Sequence, residues 1–352
     1  MPGYWISLFT LATTEASFAF NVLIRTPQLV ENVLIVGTGD VAVAVARQIF
    51  DQRNFAYRIV GFASEGAGES RVPPGFPRVV GRANDAPALV TRYGVGRIIV
   101  AISDRRGHLP VSELVLVKLS GVRIEEAATT YERLTGKLML ENIKPSSVIF
   151  SDGFQVSRWR RVVKRAADVV FSVVGVVLSA IPMLLTAVAV WLESGSPVIY
   201  RQERVGQHGR RFMLFKFRSM GLDAETDKPV WAREDDDRVT RVGRVIRLTR
   251  LDELPQFFNV LRGDMSFVGP RPERPYFVEL LAKEIPFYHE RHAVKPGLTG
   301  WAQVKYRYGA SIEDAIEKLR YDLYYVKHLS VVFDLTIVFD TVKVILFRKG
   351  AH

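Results

Sequence analysis

The 352-residue chain contains no cysteine. That excludes disulfides, thiol nucleophiles and thiolate zinc sites, and it fits a reducing compartment. Histidine is scarce, with six in all. His289 and His292 lie three apart on an expected helix with no third ligand evident, so they read as surface or interfacial residues rather than a metal site. No basic region follows Met1 and no cleavage site stands out, which argues against a signal peptide. The chain has no internal repeat and no long low-complexity tract. Acid is in deficit, 37 Asp and Glu against 48 Lys and Arg. The net charge of +11 points to an anionic partner: nucleic acid, a phospholipid surface or a phosphorylated substrate.

The length allows about two domains, each with a real core. Residues 4–24 are mostly apolar but carry Glu15. They read as the remnant of a membrane helix, an interfacial helix or a packed one. Residues 32–37 form a buried-type strand that runs into Gly37-Thr-Gly39 and a helical stretch to about residue 50. Such a strand, glycine turn and helix suit a nucleotide phosphate, and Gly37 and Gly39 are its candidate contacts. Further strands are expected at 57–62, 97–102 and 122–125, with helices at 83–93 and 111–119. This alternation predicts a parallel sheet. The acid expected on a ribose is not clear, Asp40 would repel phosphate, and residues 30–150 hold no Tyr-x-x-x-Lys pair. A scaffold is therefore favoured over a redox site, and no nicotinamide cofactor is expected in catalysis. Residues 127–157 read as a connector with a short strand.

Residues 158–165 carry five cations, and residues 169–192 carry no charge at all. At about 1.5 Å per residue such a helix is long enough to cross a bilayer. Pro182 interrupts it, however, and the downstream flank is basic too. Positive charge on both sides favours both ends on one face, with a helix–break–helix dipping into one leaflet. Asp168 at its entrance pairs, on this reading, with Arg165 or Arg161. Residues 198–220 suggest a hairpin bearing Lys216 and Arg218, both candidate phosphate contacts. Residues 234–237 are an acidic run, either a cation site or a solvated turn. Lys295, in a Pro-Gly turn, can reach a phosphate. Residues 312–328 read as an amphipathic helix, and 331–347 as an interfacial or packed one.

The most informative stretch is Arg247-Leu-Thr-Arg-Leu-Asp-Glu-Leu-Pro-Gln256, followed by Phe267-Val-Gly-Pro-Arg-Pro272. Asp252 and Glu253 are adjacent, and neighbours in a chain point apart, which suits two separate roles. Arg247 and Arg271 are candidate phosphate clamps through bidentate, charge-assisted hydrogen bonds. Prolines on both sides of Arg271 fix the direction of its guanidinium.

These motifs, with Lys164-Arg165…Asp168, Gln202-x-Arg204-x-Gly206, Phe215-Lys-Phe-Arg-Ser-Met220, Asp237-Arg-Val-Thr-Arg-Val-Gly243, Lys295-Pro-Gly-Leu-Thr-Gly-Trp-Ala-Gln-Val304 and Tyr321-Asp-Leu-Tyr-Tyr-Val326, occur in order. Over residues 158–349 the chain resembles the bacterial sugar transferases, the polyprenyl-phosphate sugar-1-phosphate transferases. Its upstream half resembles the Rossmann-like module of the larger members. The resemblance implies an α/β Rossmann-like N-terminal domain followed by a mainly helical α+β monotopic membrane catalytic domain with a re-entrant helix. The boundaries expected are an apolar segment over 1–30, the Rossmann-like domain over 31–150 and the catalytic domain over 151–352, with the re-entrant helix at about 164–192 broken at Pro182. Ile181 stands where many smaller members carry serine. The resemblance further implies transfer of a sugar 1-phosphate from a UDP-sugar to polyprenyl phosphate, releasing UMP, at the cytoplasmic face of the bacterial inner membrane. It selects Asp252 as nucleophile and Glu253 as its partner, where spacing alone leaves the two interchangeable. Mg²⁺ held by Asp252 and Glu253 is expected, because two phosphates bear charge to be neutralised. No nucleic-acid partner is expected, and a homo-oligomer stays open. The rivals are a nucleotide-sugar-modifying dinucleotide enzyme and a non-enzymatic basic membrane-binding protein.

Overall fold

The computed structural model describes residues 30–51, 56–66, 72–102, 109–140, 154, 157–221, 237–306, 309 and 311–347. The expectation for residues 4–24 and most of the acidic run at 234–237 fall outside them. The chain divides into two compact units, Met1–Asn142 and Ile143–His352.

The first unit is built on five parallel strands: β1 (Glu31–Val36), β2 (Tyr57–Ser64), β3 (Val79–Arg82), β4 (Arg97–Val100) and β5 (Arg123–Glu126). Their order is β3-β2-β1-β4-β5. Strand β1 buries both faces, as a central parallel strand must. Val33 and Ile35 join the core under helices α1 (Asp40–Asp51) and α4 (Ala127–Thr135), whereas Leu34 and Val36 join the core under α2 (Ala86–Tyr93) and α3 (Val111–Leu119). Two expectations are corrected. Strand β3 was not anticipated, because four residues at a sheet edge carry almost no periodic signal. Residues 127–135 form helix α4 rather than a connector, since Ala127 and Tyr131, four apart, both dock on the sheet.

Gly37 closes β1 with φ +122°, and a Cβ there would lie 2.7 Å from the carbonyl oxygen of Ala101. The close approach of the neighbouring chain therefore accounts for this glycine. Around Gly39 the space is open.

Among the described residues the first helix of the second unit is α5 (Arg158–Ser194), which runs through Pro182 without interruption. This corrects the expected break. Proline removes only the donor that would serve the carbonyl of Leu178, and packing on both sides holds the rest of the helix. Among the described residues α5 is the one helix long and apolar enough to cross a membrane. One face packs on the unit along its length, burying Asp168, Ser172, Thr186 and Val190. The other exposes Val170, Val174, Val177, Leu178, Ile181 and Leu185.

Downstream lie the antiparallel hairpin β6 (Ile199–Val205) and β7 (Arg211–Phe217), then α6 (Arg241–Leu248) and α7 (Gln256–Arg262). The short parallel pair β8 (Ser266–Val268) and β9 (Gly297–Thr299) brackets α8 (Pro275–Glu284). Helices α9 (Trp301–Lys305), α10 (Ile312–Lys327) and α11 (Val331–Phe347) complete the unit.

Both ends of α5 are bonded to this unit. Near its start, Lys164 Nζ donates to Asp334 Oδ2 at 2.7 Å and to the Val268 carbonyl at 3.1 Å. Asp168 is buried and accepts from Ser266 Oγ and the Phe267 amide, so its partners are β8 and Lys164 rather than Arg165 or Arg161. At its end, the Glu193 carboxylate accepts the amides of Arg241 and Val242 at 2.9 and 3.0 Å. In the middle, Gly175 lies against Phe257 of α7, where a Cβ would come within 2.7 Å of the ring.

Gly175→Val should lower the thermal unfolding midpoint in detergent by an amount equivalent to about 1–3 kcal/mol, since the ring must yield to the added methyls. An unchanged midpoint would show that α5 does not rest on Phe257.

Candidate active site

Helix α6 is capped by the Thr240 side chain, which accepts the Gly243 amide, and by Glu193 from the end of α5. Two residues beyond its end stands Arg250, a non-glycine residue at φ +60°. That conformation costs roughly 1–2 kcal/mol, which the packing of Leu251 and Leu254 into the core beneath α6 offsets. The tight turn Leu251–Glu253 follows, and Asp252 and Glu253 are both buried.

A buried carboxylate needs cations, and Glu253 has three. Its Oε1 accepts from Lys216 Nζ of β7 at 3.0 Å and from Arg271 Nη2 at 2.8 Å. Arg250 Nη1 lies 3.6 Å from Oε2. Burial acts to raise this carboxyl, but Lys216, Arg271 and Arg250 outweigh it and hold Glu253 well below the usual carboxylate range. Asp252 moves the other way. Burial and the charge of Glu253 raise it, against the pull of Lys216, Arg271 and Arg247. The two adjacent acids are thus driven apart, as in sites where one carboxyl is fixed as an anion and its neighbour does chemistry.

Asn259 of α7 holds the frame. It is fully buried, takes the Phe215 amide on Oδ1 at 3.0 Å and donates Nδ2 to the Met213 carbonyl at 2.7 Å. It therefore completes the free edge of β7 and sets where Lys216 begins.

The predicted site residues divide. Asp252, Glu253, Lys216 and Arg271 come together, and Arg247, half-buried beside Met220, adds its charge to Asp252. Arg218 lies elsewhere: it is buried at the end of α5 and donates to the carbonyls of Ser194 and Gly195. Lys295 lies beside Gly263 and Arg165, at the carboxyl end of α7, while the dyad precedes the amino end of that helix. There Arg165 caps the carbonyls of Val260 and Leu261 at 2.6 and 2.8 Å. Burial, then Arg165, lowers the Lys295 ammonium. Both cations complement the negative end of a helix. Gly37 and Gly39 belong to the first unit and Pro182 to α5. The site's buried Arg291–Asp322 pair was not anticipated, although a carboxylate at the centre of the apolar stripe Leu319, Leu323 and Val326 is a readable signal. His292 is also corrected: it is buried, not superficial.

The profile described as "Bacterial sugar transferase" matches residues 159–348. The chain belongs to the bacterial sugar transferase family. Among its relatives is a UDP-N-acetylgalactosamine-undecaprenyl-phosphate N-acetylgalactosaminephosphotransferase of Aeromonas hydrophila, 44% identical over 63% of this chain and 52% of the relative. Another is an undecaprenyl-phosphate glucose phosphotransferase of Komagataeibacter xylinus, 33% identical over 98% of this chain and 65% of the relative. A UDP-glucose:undecaprenyl-phosphate glucose-1-phosphate transferase of Escherichia coli K12 is 44% identical over 54% of this chain and 42% of the relative. The chain thus spans 52% and 65% of the first two.

For this sugar transferase a Mg²⁺ ion would rest on carboxylate oxygens completed by phosphates and water, the set that ion favours. Asp252 and Glu253 supply two adjacent carboxylates, and no group of three or more metal-binding side chains occurs among the described residues. The donor chemistry fits an ion that shares its shell with substrate.

Burial, with the charges of Arg291 and His289, lowers His292 to about 3. The unfolded chain binds a proton near pH 6.5 that the folded chain refuses. Stability is therefore lost as pH falls below 6.5, by roughly 2 kcal/mol at pH 5. The difference between wild type and His292→Gln in denaturant titrations at pH 7 and pH 5 should show this loss. Parallel behaviour of the two would mean that His292 binds its proton equally in the folded and unfolded chains.

Proposed function

We propose that this chain is a membrane-bound phosphoglycosyl transferase that moves a sugar 1-phosphate from a UDP-sugar to polyprenyl phosphate. The observation that carries the reading is the asymmetry of the dyad: Glu253 is locked by Lys216, Arg271 and Arg250, whereas Asp252 has no such partner among the described residues. A raised carboxyl is the more basic and more nucleophilic of the pair once ionised. Asp252 Oδ attacks the phosphorus that bears the sugar. The bond from that phosphorus to the bridging oxygen breaks, and UMP leaves with the electron pair. The acyl phosphate on Asp252 is then attacked by an ionised oxygen of polyprenyl phosphate. The bond to Asp252 breaks, its carboxylate returns, and polyprenyl diphosphate sugar is released. Arg271 and Arg247 bind and orient the nucleotide phosphates, and Lys216 fixes Glu253. Asp252 and Glu253 would hold a Mg²⁺ ion, which would supply charge neutralisation for the phosphates.

The same reading places the protein at the cytoplasmic face of a bacterial inner membrane, starting the assembly of an exopolysaccharide, capsule or O-antigen. Helix α5 supports this. A helix bonded to one folded unit at both ends, with an apolar outer face, suits a re-entrant segment entering from one side. Residues 31–150 serve as a Rossmann-like scaffold, supported by the strand order and by Gly37 being needed for packing.

The relatives' names divide between glucose and N-acetylgalactosamine, so the assay panel carries both UDP-sugars with undecaprenyl phosphate and follows UMP. Without acceptor, a sugar-phosphate adduct should form on Asp252. Asp252→Asn should abolish adduct and turnover, at least about 10³-fold, because an amide cannot form the acyl phosphate. Glu253→Gln should bind but lose most of the rate. An adduct on Glu253 would exchange the roles, and sequential kinetics with no adduct would reject the covalent route.

Single cysteines at positions 158 and 201 should react with an impermeant thiol reagent from the same side of the membrane. Labelling from opposite sides would sink the re-entrant path.

A further inference from the structure

The turn that carries Arg271 is clamped by four donors from three parts of the unit: β6, Arg291 and β9. The carbonyl of Pro270 accepts the Gly297 amide at 2.9 Å. The carbonyl of Arg271 accepts Arg291 Nη2 at 3.0 Å, and that of Pro272 accepts Arg204 Nη1 at 3.0 Å. The carbonyl of Glu273 accepts the Val205 amide at 3.0 Å. Four successive carbonyls are thus fixed by donors from different parts of the unit, and the prolines at 270 and 272 remove the remaining backbone freedom.

Arg291 has the most to give up. It is 6% exposed, and its ion-pair partner Asp322 is 2% exposed. The same Nη2 that holds the Arg271 carbonyl also donates to Asp322 Oδ2 at 2.7 Å, while Nη1 donates to Tyr288 Oη at 2.7 Å. Burying an ion pair costs desolvation that an apolar pair of similar volume would avoid. A guanidinium is the side chain that can hold a carboxylate, a phenol and a carbonyl in one rigid plane. The side chain of Arg271, by contrast, is only partly buried, so its direction is set from its backbone.

We infer that Arg291 and Asp322 are positioning residues, which fix the Arg271 carbonyl and through it aim the Arg271 guanidinium at Glu253 and the substrate phosphates. The inference rests on the transferase reading above. It gives the Asp322-bearing face of α10 a role in catalysis without contact to substrate. Displacing a charged clamp by about 1 Å can cost on the order of 10²-fold in rate.

The test is a double-mutant cycle on the full-length protein, with kcat/KM for UMP release as the readout and thermal unfolding as the control for folding. Arg291→Lys keeps the charge but cannot hold all three partners. It should lower kcat/KM about 10- to 100-fold. In the Arg271→Lys background the same change should cost less than about threefold, because the group it positions is already gone. A merely structural role predicts equal losses in both backgrounds, and that result would overturn the inference. If Arg291→Lys does not fold, Tyr288→Phe, which removes one of the bonds orienting Arg291, replaces it in the same cycle under the same criterion, and a wild-type rate in both backgrounds also counts against the inference. Wild-type protein that releases no UMP from any UDP-sugar would overturn the transferase reading and this inference with it. Active wild type with additive losses overturns the inference alone.

Discussion

Glu253 is an anion held out of water, and the second unit is arranged around keeping it one. A carboxylate 9% exposed is stable as a charge only if cations reach it in fixed geometry. Those cations come from three places: Lys216 from a hairpin strand, Arg250 from a strained junction and Arg271 from a proline-bounded turn. Each then needs its own support. Asn259 ties the strand to the helix that follows the dyad. Leu251 and Leu254 hold the junction, and Arg204 and Arg291 hold the turn. Removing Glu253 would leave these cations facing one another.

The same logic governs α5. Charged residues at both its ends bond inward, Lys164 to Asp334 and Glu193 to the start of α6. Tyr325 shares both acceptors of Lys164, the Val268 carbonyl and Asp334. An apolar helix fixed in this way cannot slide along its axis without breaking buried polar bonds. Its end also caps α6, the helix that carries Arg247, so the apolar helix and the dyad share a mechanical frame.

Much of this was legible before the structure, and the exceptions share a cause. The dyad, Lys216 and Arg271 could be read because adjacency, motif order and flanking prolines are local signals. The parallel sheet could be read from the alternation of strands and helices. Arg218 and Lys295 fall outside the dyad cluster, which the sequence could not show, because a basic residue near a turn looks the same whether it faces a phosphate or the carbonyl end of a helix. In the structure Arg218 serves the end of α5, and Lys295 lies with Arg165 at the end of α7. Pro182 misled because propensity rules describe isolated helices, whereas this one is held on both sides of the proline by packing. Arg291 and Asp322 were missed because 31 residues separate them and only folding brings them together.

The dyad's surroundings also say what the site lacks. Among the described residues, Lys216, Arg247, Arg250 and Arg271 act on the two carboxylates, so positive charge exceeds negative by two. A folded protein gains nothing from such an excess, since like charges repel and burial penalises those held out of water. Glu253 satisfies part of it, and Asp252 is held up by burial rather than tied to a cation. The remaining charge is complementary to a ligand bearing two phosphates. Such a ligand would meet an Arg271 already held on Glu253, and the backbone clamp on Arg271 is what would let it serve both without moving. The preorganisation that stabilises Glu253 is therefore the same preorganisation that a phosphoryl-transfer transition state requires.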